Sequence, residues 1–190
     1  SDEYIKELRN IMKSDIKTKS RLVELLNRAH YESAFRNNPS SIAIKISGQG
    51  SGSFLNAVIG ALSTLGGPHG PTKDAAEMLL SSDPIDLCKA YMDANIKIPG
   101  WGTSFNKGTP DPIWENVANH IEKNFPEIHF IIEKITKHIQ STGKMLYPNP
   151  ACYTAATAII HDIPSDASVY FFINARMTAW LNIYLNKEDK

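Results

Sequence analysis

Ser-Phe-Leu-Asn-Ala-Val-Ile-Gly-Ala-Leu-Ser-Thr-Leu-Gly-Gly-Pro-His-Gly-Pro, residues 53–71, is the stretch around which the rest of the chain organises. Its first thirteen residues read as a helix in which Ala57, Gly60, Ala61 and Ser63 leave little side chain on the surface. Such a helix packs close to a neighbour or to a second copy. Gly66 and Gly67 end it, and Gly70 and Pro71 can open the next helix as N-cap and first helical residue. His69 then lies against the positive end of that helix, where exposed N–H groups and the dipole disfavour a charged imidazole. A neutral, donating histidine suits a carbonyl that becomes an enol. The bland alternative is a Gly/Pro corner between helices with His69 on the surface.

Working outward, helical spacing recurs along the whole chain. Tyr4, Ile5, Leu8, Ile11 and Met12 predict an amphipathic helix over residues 2–13, and Leu22, Leu25, Leu26, Ala29 and Ser33 a second over 17–36, stopped by Asn37-Asn38-Pro39. Residues 40–52 alternate like a strand through Ile42, Ile44 and Ile46, but a lone strand has no partners, so a short helix is expected. Helices follow over 72–80 and 83–95, the latter with Asp83 as N-cap and Pro84 in the first turn. A second glycine loop, Ile98-Pro99-Gly100-Trp101-Gly102-Thr103, comes next. Asp111-Pro112 opens a helix to about Phe125, and Pro126 another that Gly143 ends. Asn149-Pro150 caps an alanine-rich helix, and residues 165–186 form the last. There Phe172, Arg176 and Trp180 fall on one stripe, placing an arginine among large aromatic side chains. Such a guanidinium needs a carboxylate from the protein or a ligand, unless it snorkels to water.

Composition excludes several classes. Twenty basic and twenty acidic residues cancel, without runs of either sign, so the field of a nucleic-acid or polybasic membrane binder is absent. Cys88 and Cys152 stand alone, which fits a reducing compartment and argues against zinc. His120, His129 and His138 lie nine residues apart and share no ligand face, so no metal is expected. No stretch reaches the roughly 18 continuous apolar residues of a membrane span. A cytoplasmic, all-α protein is the expectation. Trp114 and Trp180 read as core, and Trp101 as a cover over a junction.

The residues also carry a resemblance. Asn38-Pro-Ser-Ser, residues 53–62, Gly67-Pro68-His69-Gly70, Ile98-Pro-Gly-Trp-Gly102, Asp111-Pro112, Pro148-Asn149 and Ile173-Asn-Ala-Arg176-Met-Thr-Ala-Trp180 occur in the order and approximate spacing of the citrate synthase family. The chain is similar to a shortened member from about Asn38 onward. The resemblance implies an all-α, citrate synthase-like helical fold: N-terminal helices at 1–37, a truncated large-domain remnant at 38–71 and 148–190, and a small helical lobe at 72–147. It implies that His69 matches the enol-binding histidine, one residue short in its loop. Arg176 matches a substrate-binding arginine, Pro99, Gly100, Trp101 and Gly102 the loop around the adenine end of CoA, and Lys107 a phosphate contact.

The departures carry equal weight. Thr103 stands where the family has its ketone-facing histidine, and Ala151 where it has the carboxylate base; Ile113 replaces an arginine, and Arg36-Asn37 a His-Glu pair. Loss of a general base alone removes roughly two to four orders of magnitude of rate. What the resemblance implies is therefore a degenerate protein that binds CoA or acyl-CoA, a dicarboxylate such as oxaloacetate or citrate, or both, without efficient turnover. The alternative is an active citrate synthase or citryl-CoA lyase-type acyltransferase whose missing groups are relocated or come from a partner chain. A homodimer, or a hetero-oligomer, is the implied assembly, with residues 57–63 as its surface. Neither nucleic acid nor membrane is an expected partner.

Overall fold

The structure, a computed structural model, describes residues 3, 6, 16–66 and 69–186. The helix expected over 2–13 lies outside the described residues. Among those described, the chain forms nine α-helices and no strand. They are α1 (Ile16–Ala34), α2 (Pro39–Ser51), α3 (Phe54–Leu62), α4 (Thr72–Leu79), α5 (Pro84–Asp93), α6 (Glu115–Asn124), α7 (Pro126–Ser141), α8 (Pro150–Ile160) and α9 (Val169–Leu185). Two single 3-10 turns, Pro112–Trp114 and Ser165–Ala167, lead into α6 and α9. None of these helices is long and apolar enough to cross a membrane.

The ambiguous stretch after Asn38 is helical because its start is capped. The Asn38 side chain accepts from the Ser41 amide at 3.1 Å, and Pro39 has no amide proton to leave unpaired. The isoleucine alternation that mimicked a strand divides across the helix: Ile44 is buried, while Ile42 and Ile46 face outward. α3 packs on α2 at short range, with Gly60 against the Ser47 side chain. Its small residues Ala57 and Ala61 are thus covered by the chain itself.

Apolar packing forms two clusters. One gathers Leu22, Leu26 and Ala29 of α1 with α4 to α8, around Trp114, Phe125 and the isoleucines of α7. The other joins Ala34, Ile44, Val58, Phe172 and Trp180 between the end of α1, α2, α3 and α9. α8 is buried on every side, from Ala151 to Ile160, as expected of a helix apolar all round. Its two threonines satisfy their hydroxyls on carbonyls one turn back, Thr154 on Pro150 and Thr157 on Tyr153. α1 and α9 pack side by side and bridge the clusters.

Candidate functional site

Where α1, α8 and α9 meet, the aromatic stripe of α9 delivers Arg176 into the interior at 3% exposure. The neighbours it finds are neutral. Its Nε donates to His30 Nδ1 at 3.2 Å, its Nη2 donates to Ser33 Oγ at 2.8 Å, and its plane lies 5.0 Å over the Phe172 ring. Nη1 is buried with no partner. Burial, and then the nearby charge of Arg36, push the Arg176 pKa down to about 9, which leaves it cationic at neutral pH. The carboxylate that the sequence demanded is not supplied to Arg176 by the described residues.

His30 holds this arginine in place. Since Nδ1 accepts from Arg176, the ring proton is assigned to Nε2, which donates to Thr154 Oγ1 at 2.8 Å. Trp114 and Phe172 meet the ring edge-on, each at 4.9 Å. Desolvation, followed by the Arg176 charge, keeps His30 neutral well below its ordinary pKa. Nothing local in the sequence singled it out: it sits mid-helix, and its partners lie more than a hundred positions away.

His69 reaches the same niche from the glycine turn. Gly66 and His69 close on each other through two backbone hydrogen bonds of 2.8 and 3.1 Å. The imidazole meets Phe172 edge-on at 5.8 Å, and its Nε2 is buried without a partner. Burial and then Arg176 lower its pKa to about 4. The neutral state expected from a helix dipole thus arises from desolvation and a neighbouring cation. The cap also differs from expectation. Gly70 turns the chain at φ +69°, which leaves Pro71 at ψ 57°, outside the helix, so α4 begins at Thr72.

The second glycine loop is tied to the start of α8. Asn149 donates its side-chain amide to Gly102 O at 2.9 Å and its backbone amide to Gly100 O at 2.9 Å, while its Oδ1 accepts from the Ala151 amide. Gly100 has φ +89°, and a Cβ there would meet the Cβ atoms of Ala75 and Cys152 at 3.2 Å. Trp101 is buried, with Nε1 on Thr136 Oγ1 at 2.9 Å. Pro99 is buried behind it. Beside this loop lies a cleft of about 510 Å³, whose lining includes Gly102, Thr103, Lys107, Asp111 and Tyr147. Thr103 Oγ1 accepts from the Phe105 amide at 3.2 Å, and Lys107 is exposed at the rim. Ala151 presents only a buried methyl group in the first turn of α8.

One ion pair reaches into the cleft from the end of α1. Arg36 bonds Asp111 through both terminal nitrogens, Nη1 to Oδ2 and Nη2 to Oδ1, the latter at 3.0 Å. Asp111 is buried and also caps the 3-10 turn by accepting from the Ile113 amide at 3.1 Å. Phe105 covers the Arg36 guanidinium at 5.2 Å. The sequence marked Asp111 as a helix opener and, with Pro112, as part of the family resemblance, not as the partner of Arg36.

Comparison with known proteins places this architecture. The family model described as citrate synthase, C-terminal domain, matches residues 1–190. The structure resembles citryl-CoA lyase from Hydrogenobacter thermophilus at TM-score 0.76 and 20% identity, over 95% of this chain and 75% of that one. It also resembles a variant of Methanosaeta concilii ATP citrate lyase in complex with (3S)-citryl-CoA, at TM-score 0.74 and 16% identity, over 93% of this chain and 32% of that one. ATP citrate lyase from Methanothrix soehngenii in complex with citrate and coenzyme A gives 0.72 and 15%, with the same coverages. This chain therefore spans about a third of the length of the two ATP citrate lyases. No curated protein matched the sequence.

Proposed function

The chain belongs to the citrate synthase family, and from that premise we propose that it binds CoA or acyl-CoA and a small carboxylic acid without efficient turnover. The observation that carries this is the pair of buried, unpartnered nitrogens, Arg176 Nη1 and His69 Nε2, in two side chains that both pack on Phe172. A buried cation with one empty donor is costly unless an anion completes it, so the niche is built for a carboxylate oxygen. The neighbouring cleft has the room and the rim lysine for a phosphate-bearing ligand, with Gly102, the end of the Pro99 to Gly102 loop, in its lining. Two structural neighbours were solved with CoA or citryl-CoA, which supports ligands of this class.

Chemistry is the weak part of the site. Proton abstraction from an acetyl methyl needs a base within hydrogen-bond reach, and Ala151 and Thr103 offer none. Asp111 is the carboxylate that borders the cleft, but both its oxygens are engaged by Arg36. An active synthase or citryl-CoA lyase would need that pair to open or a second chain to supply the groups.

Calorimetric titration with CoA, acetyl-CoA, oxaloacetate and citrate, followed by a thiol-release assay, tests this reading. Heat with CoA or an acid and no thiol release is the expected result. Thiol release would establish the active alternative, and silence toward all four ligands would leave the kinship as one of fold.

We also propose a homodimer through the outer face of α2 and α3. Ile46 and Leu55 there are 65% and 68% exposed, with Ile42 and Ile59 beside them. Ile59→Lys should turn a dimer into a monomer in sedimentation equilibrium. An unchanged mass would place the contact elsewhere.

A further inference from the structure

We propose that the niche accepts a ligand with a single carboxylate, because Asp111 occupies the second guanidinium that a dicarboxylate would need. The proposal rests on the reading that Arg176 receives a ligand carboxylate, and it narrows the class of that ligand.

Two guanidiniums are rooted at the same turn of chain: Arg176 Nη2 donates to Ser33 Oγ at 2.8 Å, and the Arg36 amide donates to Ser33 O at 3.3 Å. Their states differ. Arg176 keeps Nη1 free in the interior, and His69 Nε2 is unpartnered against the same Phe172 ring. In the tautomer that carries its proton on Nε2, His69 joins Arg176 in suiting one carboxylate, or one carboxylate oxygen and an adjacent carbonyl. Arg36 has no such vacancy, since both terminal nitrogens hold Asp111 and Phe105 lies on its face. Asp111 is itself anchored, because the same Oδ1 that faces Arg36 accepts from the Ile113 amide and fixes the start of the 3-10 turn. It plays the part of an internal second carboxylate. A ligand carrying its own would have to evict Asp111 into a position where its charge is buried and unpaired, or leave its own charge without a cation.

Pyruvate and oxaloacetate differ only in that second carboxylate, so calorimetric titration of the wild-type protein with each, in one buffer, reads the proposal directly. Pyruvate should bind at least about tenfold more tightly, the penalty of one unpaired buried charge. Asp111→Asn keeps an Oδ1 for the Ile113 amide and removes the charge; the ratio should then move at least about tenfold toward oxaloacetate. In the double variant Arg36→Gln, Asp111→Asn the second cation is gone as well, and the preference for pyruvate should return. Oxaloacetate binding wild type as tightly as pyruvate overturns the single-carboxylate proposal and leaves the carboxylate niche standing. A ratio unmoved in a folded Asp111→Asn protein, judged by its helical circular dichroism, overturns it too. If neither acid binds wild type, the carboxylate reading of Arg176 falls with it. The wild-type ratio decides even if the variants do not fold.

Discussion

The niche at Phe172 and the cleft beside the second glycine loop are linked through one ion pair, Asp111 lining the cleft and Arg36 bonding through its amide to the Ser33 that holds Arg176, and they are built on different principles. In the niche the groups around Arg176 are largely spent on internal partners: His30 uses both nitrogens, and Arg176 is gripped at Nε and Nη2, while Arg176 Nη1, His69 Nε2 and Trp114 Nε1 stay unpaired. Its recognition geometry is set before a ligand arrives. The cleft has a firm edge at Gly102, held by Asn149, but Lys107, Gly108 and Thr109 along its lining are exposed, and the buried unpaired group in it is the neutral amide nitrogen of Asn106 rather than a cation. In the proposed function, recognition of the acid is therefore pre-organised, whereas grip on the larger ligand must be completed by that ligand.

Arg176→Met tests the difference most severely. Truncating one partner of a buried charged contact costs about 2–5 kcal/mol, so acid binding should fall by roughly 30-fold or more in titration calorimetry while CoA binding changes little. Equal loss of both would merge niche and cleft into one site. Next, Gly100→Ala attacks the loop that leads into Gly102 at the cleft. A left-handed φ and two 3.2 Å contacts predict a loss of about 2–3 kcal/mol in denaturant unfolding, along with weaker CoA binding. A melting curve unchanged by this variant would mean that the loop yields easily.

Protonation gives a third handle, confined to the niche. His30 and His69 have folded pKa values below the unfolded value near 6.5, His69 at about 4. Above pH 6.5 neither state binds the proton and their linkage vanishes. As pH falls from about 6.5 toward 4 the unfolded chain takes up protons that the folded one refuses, so stability declines across that window. His69→Gln should reduce the slope of stability against pH in thermal denaturation, and an unaltered slope would mean that His69 titrates normally. The smallest effect is expected from Thr103→His with Ala151→Asp. It should raise thiol release from acetyl-CoA and oxaloacetate from undetectable to slow, and continued silence would show that more than these two groups is missing.

Much of the helical order was legible because its signals are local. Asn38, Ser53, Asp83, Asp111 and Asn149 each cap the element they precede, and Pro39, Pro84, Pro112 and Pro150 sit in first turns. The arginine on the aromatic stripe of α9 announced its own need for a partner. His30, Ser33 and the Arg36–Asp111 pair were not legible as a group, since what makes them matter is contact with residues 75 to 146 positions distant. In sequence His30 is one polar residue on an amphipathic helix. Only the crossing of α1 over α8 and α9 turns it into the clamp on Arg176.

The burial of α8 on all sides has a consequence for how the molecule comes apart. A helix with no face toward solvent cannot detach while its neighbours stay packed, so its amides should exchange with deuterium only when the whole first cluster opens. Residues from Tyr153 to Ile160 should accordingly report the global unfolding free energy, with the ends of α2 and α3 exchanging through smaller openings.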